Sequence, residues 1–158
     1  MNVIREYRPE DAQQVEECFV ELQDFLHRLE PNVLEGKAAK KYLDFMFARC
    51  AETSGKMFVA EVDNQVVGFV SLWVKVQSEA LEEEPLEYAF VSDLVVLPAY
   101  RGRGLGRALL QKAEEHALLQ GATTLKLEVL ARNGVATKLY KNHGFYEYQV
   151  LLVKSLQS

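Results

Sequence analysis

The stretch Arg101-Gly102-Arg103-Gly104-Leu105-Gly106-Arg107 interleaves three glycines with three arginines. Alternating glycines let the backbone turn sharply and approach a ligand closely, because no Cβ stands in the way. Before it, an apolar run from Val91 ends at Pro98 and reads as a buried strand; directly after it, an amphipathic helix opens. A helix N-terminus presents unpaired N–H groups and a partial positive charge of roughly half an electron. Strand, glycine loop and helix start together make an anion cradle suited to phosphate. Two common phosphate loops do not fit. A P-loop ends in Gly-Lys-Ser/Thr, whereas Gly106 is followed by Arg107-Ala108. A dinucleotide-binding fingerprint needs a small residue where Arg107 stands and sits near the start of its domain. The bland alternative for the loop alone is a glycine-rich turn with solvating arginines.

The bulk numbers narrow the class. At 158 residues the chain fits one domain, 1–158, long enough for a real core. A formal net charge of −5 argues against nucleic acid as a partner, since binding phosphate backbones needs an excess of Lys and Arg. Cys18 and Cys50 stand alone without metal-ligand spacing, so no metal site is expected. Two free cysteines and no leader-like stretch after Met1 suggest a reducing cytoplasm. No apolar run approaches the ~20 residues of a membrane helix.

The elements that must position the cradle follow from periodicity. Asn2 to Tyr7 alternates as a first strand, and Pro9-Glu10-Asp11 opens a helix carrying Val15, Cys18, Phe19, Leu22, Phe25 and Leu26 on one face. A second helix is predicted from about Lys37 to Glu52, with Tyr42, Leu43, Phe45, Met46 and Phe47 as its stripe. These aromatics read as packing, or as part of an acceptor pocket between the two helices. Met57–Val62 and Val66–Val76 read as an antiparallel hairpin around Asp63-Asn64-Gln65. An acid-rich loop, Gln77 to Pro85, leads to the central strand from Glu87 to Leu97. After the glycine loop, Leu105, Leu109, Ala113 and Ala117 recur every fourth position up to Gln120-Gly121. Thr123–Leu130 reads as a strand, Asn133 as the N-cap of a helix to Asn142, and Tyr146–Leu156 as a last strand. The fold class is α/β (mixed α+β), with a strand–helix–strand unit around the loop.

Two motifs in order carry a family resemblance. Arg101-x-x-Gly104-x-Gly106 after a strand end resembles the pyrophosphate loop of the GCN5-related N-acetyltransferase (GNAT) superfamily. Asn133-x-x-Ala136-x-x-Leu139-Tyr140-x-x-x-Gly144-Phe145 resembles its second signature. The likeness covers Asp93 to Phe145, roughly a third of the chain; the N-terminal third fits in element order only. It implies a central mixed sheet with splayed strands around the cofactor and helices on both faces. It also implies acetyl-CoA as cofactor and transfer of an acetyl group to a primary amine of a small molecule or peptide by direct attack. The amides from Gly102 to Arg107 would hold the pyrophosphate, with Arg101, Gly102, Arg103, Gly104, Leu105, Gly106 and Arg107 as the cradle. Leu94, Val95 and Val96 would pair with the pantetheine arm, a backbone N–H near Val96 would face the thioester oxygen, and Asn133 and Ala136 would pack beside the cofactor.

Tyr140 is the general acid that this resemblance implies, on one helix face with Ala136 and Leu139; on its own it reads as a core tyrosine. A protonated amine must lose a proton before it attacks. Three sources of base stand open: Glu128 in an apolar strand, as in members that acetylate ribosomal-protein N-termini; Asp93 in the central strand, sharing a face with Val91 and Val95; and a water relay. Acids at Glu79 to Glu87, and Glu17, Glu21 and Asp24 in the first helix, favour a cationic acceptor. The family often ends with two strands joined by a loop; Phe145 to Leu156 runs on without Gly or Pro, so the acceptor site is open or completed by a second subunit as a homodimer. The competing class is a non-catalytic acyl-CoA-binding or interaction module.

Overall fold

The computed structural model describes residues 1–157. Five strands form one sheet in the order β1-β2-β3-β4-β5: β1 Asn2–Glu6, β2 Lys56–Val62, β3 Gln65–Gln77, β4 Glu87–Val96 and β5 Leu125–Leu127. The first three junctions are antiparallel and β4–β5 is parallel, because the helix α3, Leu105–Leu119, carries the chain across between them. Two residues close the β2–β3 hairpin: Asp63 (φ 50°) and Asn64 (φ 67°) both take the left-handed conformation that matches strand twist.

The sheet is covered on both faces, which explains why β2 and β3 read as nearly continuous apolar runs. Along β2, Met57 and Val59 turn to one side and Phe58, Ala60 and Val62 to the other. The first side receives α1, Ala12–Leu29, and α2, Lys40–Glu52, through Val15, Cys18, Phe19, Leu43 and Met46. The second receives α3 through Leu105, Leu109, Leu110, Ala113 and Ala117, the every-fourth-residue stripe seen in the sequence. A short helix α4, Gly134–Asn142, lies against α3: a Cβ on Gly106 would stand 3.3 Å from Leu139 Cδ2. Arg5 ties β1 down with both guanidinium nitrogens on Asp11 (2.8 and 2.9 Å) and one on Glu61 (3.0 Å).

Two expectations from the sequence are corrected. The strand expected over Thr123–Leu130 forms only at Leu125–Leu127, where β4 lies alongside to pair with it. The last strand, Tyr146–Leu156, does not form; these residues carry the right apolar pattern but no neighbouring backbone pairs with them. Strand propensity is expressed only where a partner ladder exists.

Candidate active site

The glycine loop is held open by its backbone. From β4 the chain passes through a single 3₁₀ turn, Pro98–Tyr100, and enters α3 at Leu105. Gly102 (φ 79°) and Gly104 (φ 80°) adopt the left-handed region, and a Cβ at either would meet no protein atom within 4 Å. The space beside them is open. The amides of Gly102 to Arg107 donate to no acceptor in the protein, and the first bond of the helix is Ala108 N–H to Gly104 O. Unpaired N–H groups in a glycine loop at a helix N-terminus are the donors that a pyrophosphate needs. Two arginines brace the loop instead of filling it. Arg101 donates from Nε to Val96 O (2.9 Å) and lies 5.7 Å over the Phe25 ring, while Arg103 lies 5.2 Å over Tyr100. Arg107 is exposed.

Beside the loop the sheet parts. β4 and β5 pair from Ala89–Leu125 to Val91–Leu127, and then Glu128, Val129 and Leu130 leave the sheet. The opposite edge of β4 is bulged: Ser71 pairs with Asp93 but Leu72 with Val91, leaving Ser92 as the extra residue. The bulge reverses the alternation. Ala89 and Val91 face α3, whereas Val95 joins the core under α1 and α2 and Asp93 meets Tyr42 of α2. Asp93 therefore shares a face with Val95 but not with Val91, correcting the simple two-residue period. Leu97 N–H donates to Val67 O of β3 (2.8 Å), so by alternation the Val96 N–H and C=O point to the parted side. Arg101 takes the carbonyl; the N–H has no strand beside it. Leu94 shares that open edge, whereas the backbone of Val95 turns toward Phe69 on β3.

Three hydroxyl and carboxyl groups gather at the split. Tyr42 donates to Asp93 Oδ2 (2.7 Å). Burial pushes the Asp93 carboxyl up to about 7, against hydrogen bonds from Tyr42 and Ser92 that pull it down. Tyr140 on α4 rests edge-on to Phe145 (6.0 Å between centroids); burial, then the charge of Asp93, pushes its hydroxyl up to about 12. At neutral pH this is a protonated phenol near a carboxyl poised between its two forms. Burial and the Asp93 charge also push the Tyr42 hydroxyl far above its usual range, so it stays a donor. Glu128 lies exposed beyond the end of β5, near enough for its charge to act on Tyr42 and Tyr88. Asn133 caps α4, its Oδ1 accepting from Ala136 N–H (3.2 Å), and Ala136 is half-buried.

Tyr42 is the group that periodicity placed in a packing stripe. Its signal was a tyrosine among phenylalanines on an apolar face, since a buried hydroxyl needs a partner. The histidines stay outside the cluster: His27 bonds Val33 O, His116 Ser54 O, and His143 lies 3.6 Å from Glu114. A surface groove of about 510 Å³ between α1 and α2, lined by Glu16, Glu17 and Lys40, includes neither Asp93 nor the glycine loop. Among the described residues no three His, Cys, Asp or Glu groups converge as metal ligands, and no helix is long and apolar enough to cross a membrane.

Residues 19–145, which contain most of α1, all of α2, the glycine loop and Tyr140, match the acetyltransferase (GNAT) family. The chain belongs to that family. Among GNAT relatives, an uncharacterized N-acetyltransferase of Methanocaldococcus jannaschii is 37% identical over 97 residues, 60% of this chain and 40% of that one. An N-alpha-acetyltransferase of Sulfurisphaera tokodaii is 36% identical over 111 residues, 68% of this chain and 66% of that one. The chain thus spans between 40% and 66% of these relatives' lengths. In three dimensions, an aminoglycoside N-acetyltransferase in complex with CoA superposes with a TM-score of 0.69 at 17% identity, covering 99% of this chain and 96% of that one. The GNAT fold expected from the two motifs is therefore the fold observed.

Proposed function

We propose that this protein is an N-acetyltransferase that transfers the acetyl group of acetyl-CoA to a primary amine by direct attack. The observation that carries the reading is the row of free amides from Gly102 to Arg107, set beside a split in the sheet that holds Asp93 and Tyr140. The CoA complex of the aminoglycoside enzyme of like fold and the N-acetyltransferase names of its sequence relatives support it.

Acetyl-CoA supplies the activated thioester; the remaining work falls to the chain. The amides from Gly102 to Arg107 hold the pyrophosphate, and the open edge of Leu94 and Val96 pairs with the amides of the arm. The Val96 N–H faces the carbonyl oxygen and stabilises the negative charge that grows there. Asp93 in its ionised form removes a proton from the acceptor ammonium, held in place by Tyr42. The amine nitrogen bonds to the acetyl carbon as the carbon–sulfur bond breaks. Tyr140 gives its proton to the departing sulfur and regains one from the nitrogen, so that one proton ends on sulfur and one in solvent. An acyl-cysteine route is disfavoured: Cys18 and Cys50 are buried, and burial pushes both thiols up, Cys18 to about 12.

The acceptor is a cationic amine. Asp93 at the split and the exposed Glu128 beyond β5 are the carboxylates whose charge would attract it. Several acids singled out in the sequence serve other partners: Asp24 accepts from Gly36 N–H (2.7 Å), Glu83 pairs with Lys126, and Glu87 accepts from Gln77. Release of CoA thiol should be measured against polyamines, aminoglycosides, peptides with free N-termini and acidic amino acids. Cationic acceptors should lead, with kcat/KM falling roughly 3- to 10-fold as salt shortens the screening length well below ~8 Å. A preference for acidic acceptors without salt dependence would overturn the charge assignment. CoA binding with no thiol release for any amine would point to the binding module instead.

Tyr140→Phe should lower kcat by about 10²-fold, the lower end of what a positioned general acid contributes. Cofactor affinity should hardly move, because the ring still packs on Phe145. Equal losses in kcat and CoA affinity would mean that the hydroxyl binds and does not donate.

A further inference from the structure

A row of aromatic rings on the Asp93 face of the sheet takes no part in either core. Phe45 of α2 (52% exposed) meets Trp73 of β3 edge-on, with 5.8 Å between ring centroids, and Trp73 meets Phe90 of β4 at 5.6 Å. Tyr88 follows Phe90 at 6.5 Å. Trp73 and Phe90 are register partners, and Leu72 and Val91 beside them turn to α3, so both rings point to the α2 side. Trp73, Phe90 and Tyr88 are half-buried, and none of the four rings joins the clusters under α1, α2 or α3. A contiguous apolar strip rimmed by charged groups is the form of a ligand-binding surface. The strip runs into the split: the Tyr42 ring lies 6.4 Å from Phe45, and its hydroxyl donates to Asp93 Oδ2 (2.7 Å). It is also fixed in place, with Trp73 Nε1 donating to Met46 O (3.4 Å).

We propose that this strip seats an apolar ring of the acceptor while Asp93 takes its ammonium, so that the preferred substrate is a primary amine with one charge and an aromatic tail. The inference rests on the acetyltransferase reading and narrows its acceptor. Arg49 already lies 5.7 Å over the Trp73 ring and Lys126 4.3 Å over Tyr88, so the chain itself fills the cation positions of these rings. What remains is apolar ring surface, which gains by losing contact with water. The spacing also sets a length. Phe90 stands three residues before Asp93 on β4, roughly 7–10 Å along a strand that rises ~3.3 Å per residue and carries one bulge. A chain of about four carbons between nitrogen and ring spans that distance. Arylalkylamines offer this chemistry, and so do peptides with an aromatic second residue.

Two readouts separate this inference from the reading on which it rests. Trp73 is the chain's only tryptophan, so its fluorescence reports on the strip without turnover. With CoA bound and no acetyl donor, 4-phenylbutylamine should shift that fluorescence saturably, and n-butylamine at about 10-fold higher concentration should not, the scale of burying a ring face. With acetyl-CoA, thiol release should give 4-phenylbutylamine a kcat/KM about 10-fold or more above n-butylamine. It should also exceed 1,4-diaminobutane, whose second ammonium would turn to the exposed Glu128. Phe45 lies outside both cores, so Phe45→Ala should keep the fold and lower the phenylbutylamine-to-butylamine ratio roughly 3- to 10-fold. Alanyl-phenylalanyl-alanine against trialanine repeats the comparison for peptides, and a gain in one series only assigns the source. No gain from the ring in either series, a preference for the diamine, or a ratio that Phe45→Ala leaves unchanged would each overturn the proposal. A fluorescence response without thiol release from any amine would instead overturn the acetyltransferase reading and leave the strip as the ligand site.

Discussion

Gly104→Val is expected to weaken CoA binding by about 2–4 kcal/mol, roughly 30- to 1,000-fold, the scale of a few charge-assisted hydrogen bonds. Two separate costs contribute. Gly104 sits at φ 80°, where an L residue strains by about 1–2 kcal/mol and a β-branched one is a genuine outlier. The chain would relax by rotating the loop, which would reorient the free amides from Gly102 to Arg107. The Cβ itself would also enter the open space beside the loop, where no protein atom lies within 4 Å. Gly104→Asn separates the two, because asparagine tolerates the left-handed region while still adding a Cβ. Calorimetry with CoA should show both variants impaired, and thermal melting should show a clear loss for valine only. Unchanged affinity in the asparagine variant would mean that the space beside Gly104 is not where the ligand lies. Gly106 differs: a Cβ there meets Leu139 at 3.3 Å, so its smallness serves the packing of α4.

Much of this site was legible because its parts are local. Three glycines between an apolar run and a helical stripe need no tertiary information to read as an anion cradle, and the amides of Gly102 to Arg107 donate to no acceptor in the protein. The two-faced sheet was legible for a similar reason: Met57 to Ala60 is apolar at every position. What escaped depends on an inserted residue or a distant partner. Ser92 bulges out of β4 with no glycine to announce it, and that one residue moves Asp93 from the Val91 face to the Tyr42 face. Arg101 entered the expected cradle through the motif that carries the family resemblance; its contacts, a carbonyl five residues back and a ring on α1, lie too far along the chain for spacing to show. Asp24 looked like a free acid on a helix face, but the loop before α2 folds back to donate to it. The pattern of Tyr146–Leu156 is that of a strand, and pattern cannot say whether a neighbouring ladder stands beside it.

Asp93→Asn should lower kcat/KM about 10³-fold near pH 7 and at the same time raise thermal stability above that pH. The catalytic loss follows from removing the one carboxyl at the split that is both shielded and poised: with its pKa near 7, wild-type kcat/KM should rise through neutrality as Asp93 ionises. The deficit should narrow in strong base, where a free amine needs no help. Stability moves the other way. An unfolded aspartate titrates near ~3.9, whereas the folded carboxyl holds its proton up to about 7. Between those values the native state binds more protons than the unfolded chain, so stability falls as pH rises from about 4 to 7 and stays low above it. Asparagine mimics the protonated form and keeps an acceptor for Tyr42. The variant should therefore melt like wild type at pH 4 and be more stable at pH 8, by up to about 4 kcal/mol, or roughly 8–16 °C for a chain of this size. Glu128→Gln is the comparison: exposed and past the end of β5, it should cost less than about 3-fold in kcat/KM and leave melting unchanged. If the pH-dependent loss appears with Glu128→Gln and not with Asp93→Asn, the base is Glu128. If Asp93→Asn leaves the pH 8 melting temperature where it was, the carboxyl is not held in the shielded site that its proton affinity requires.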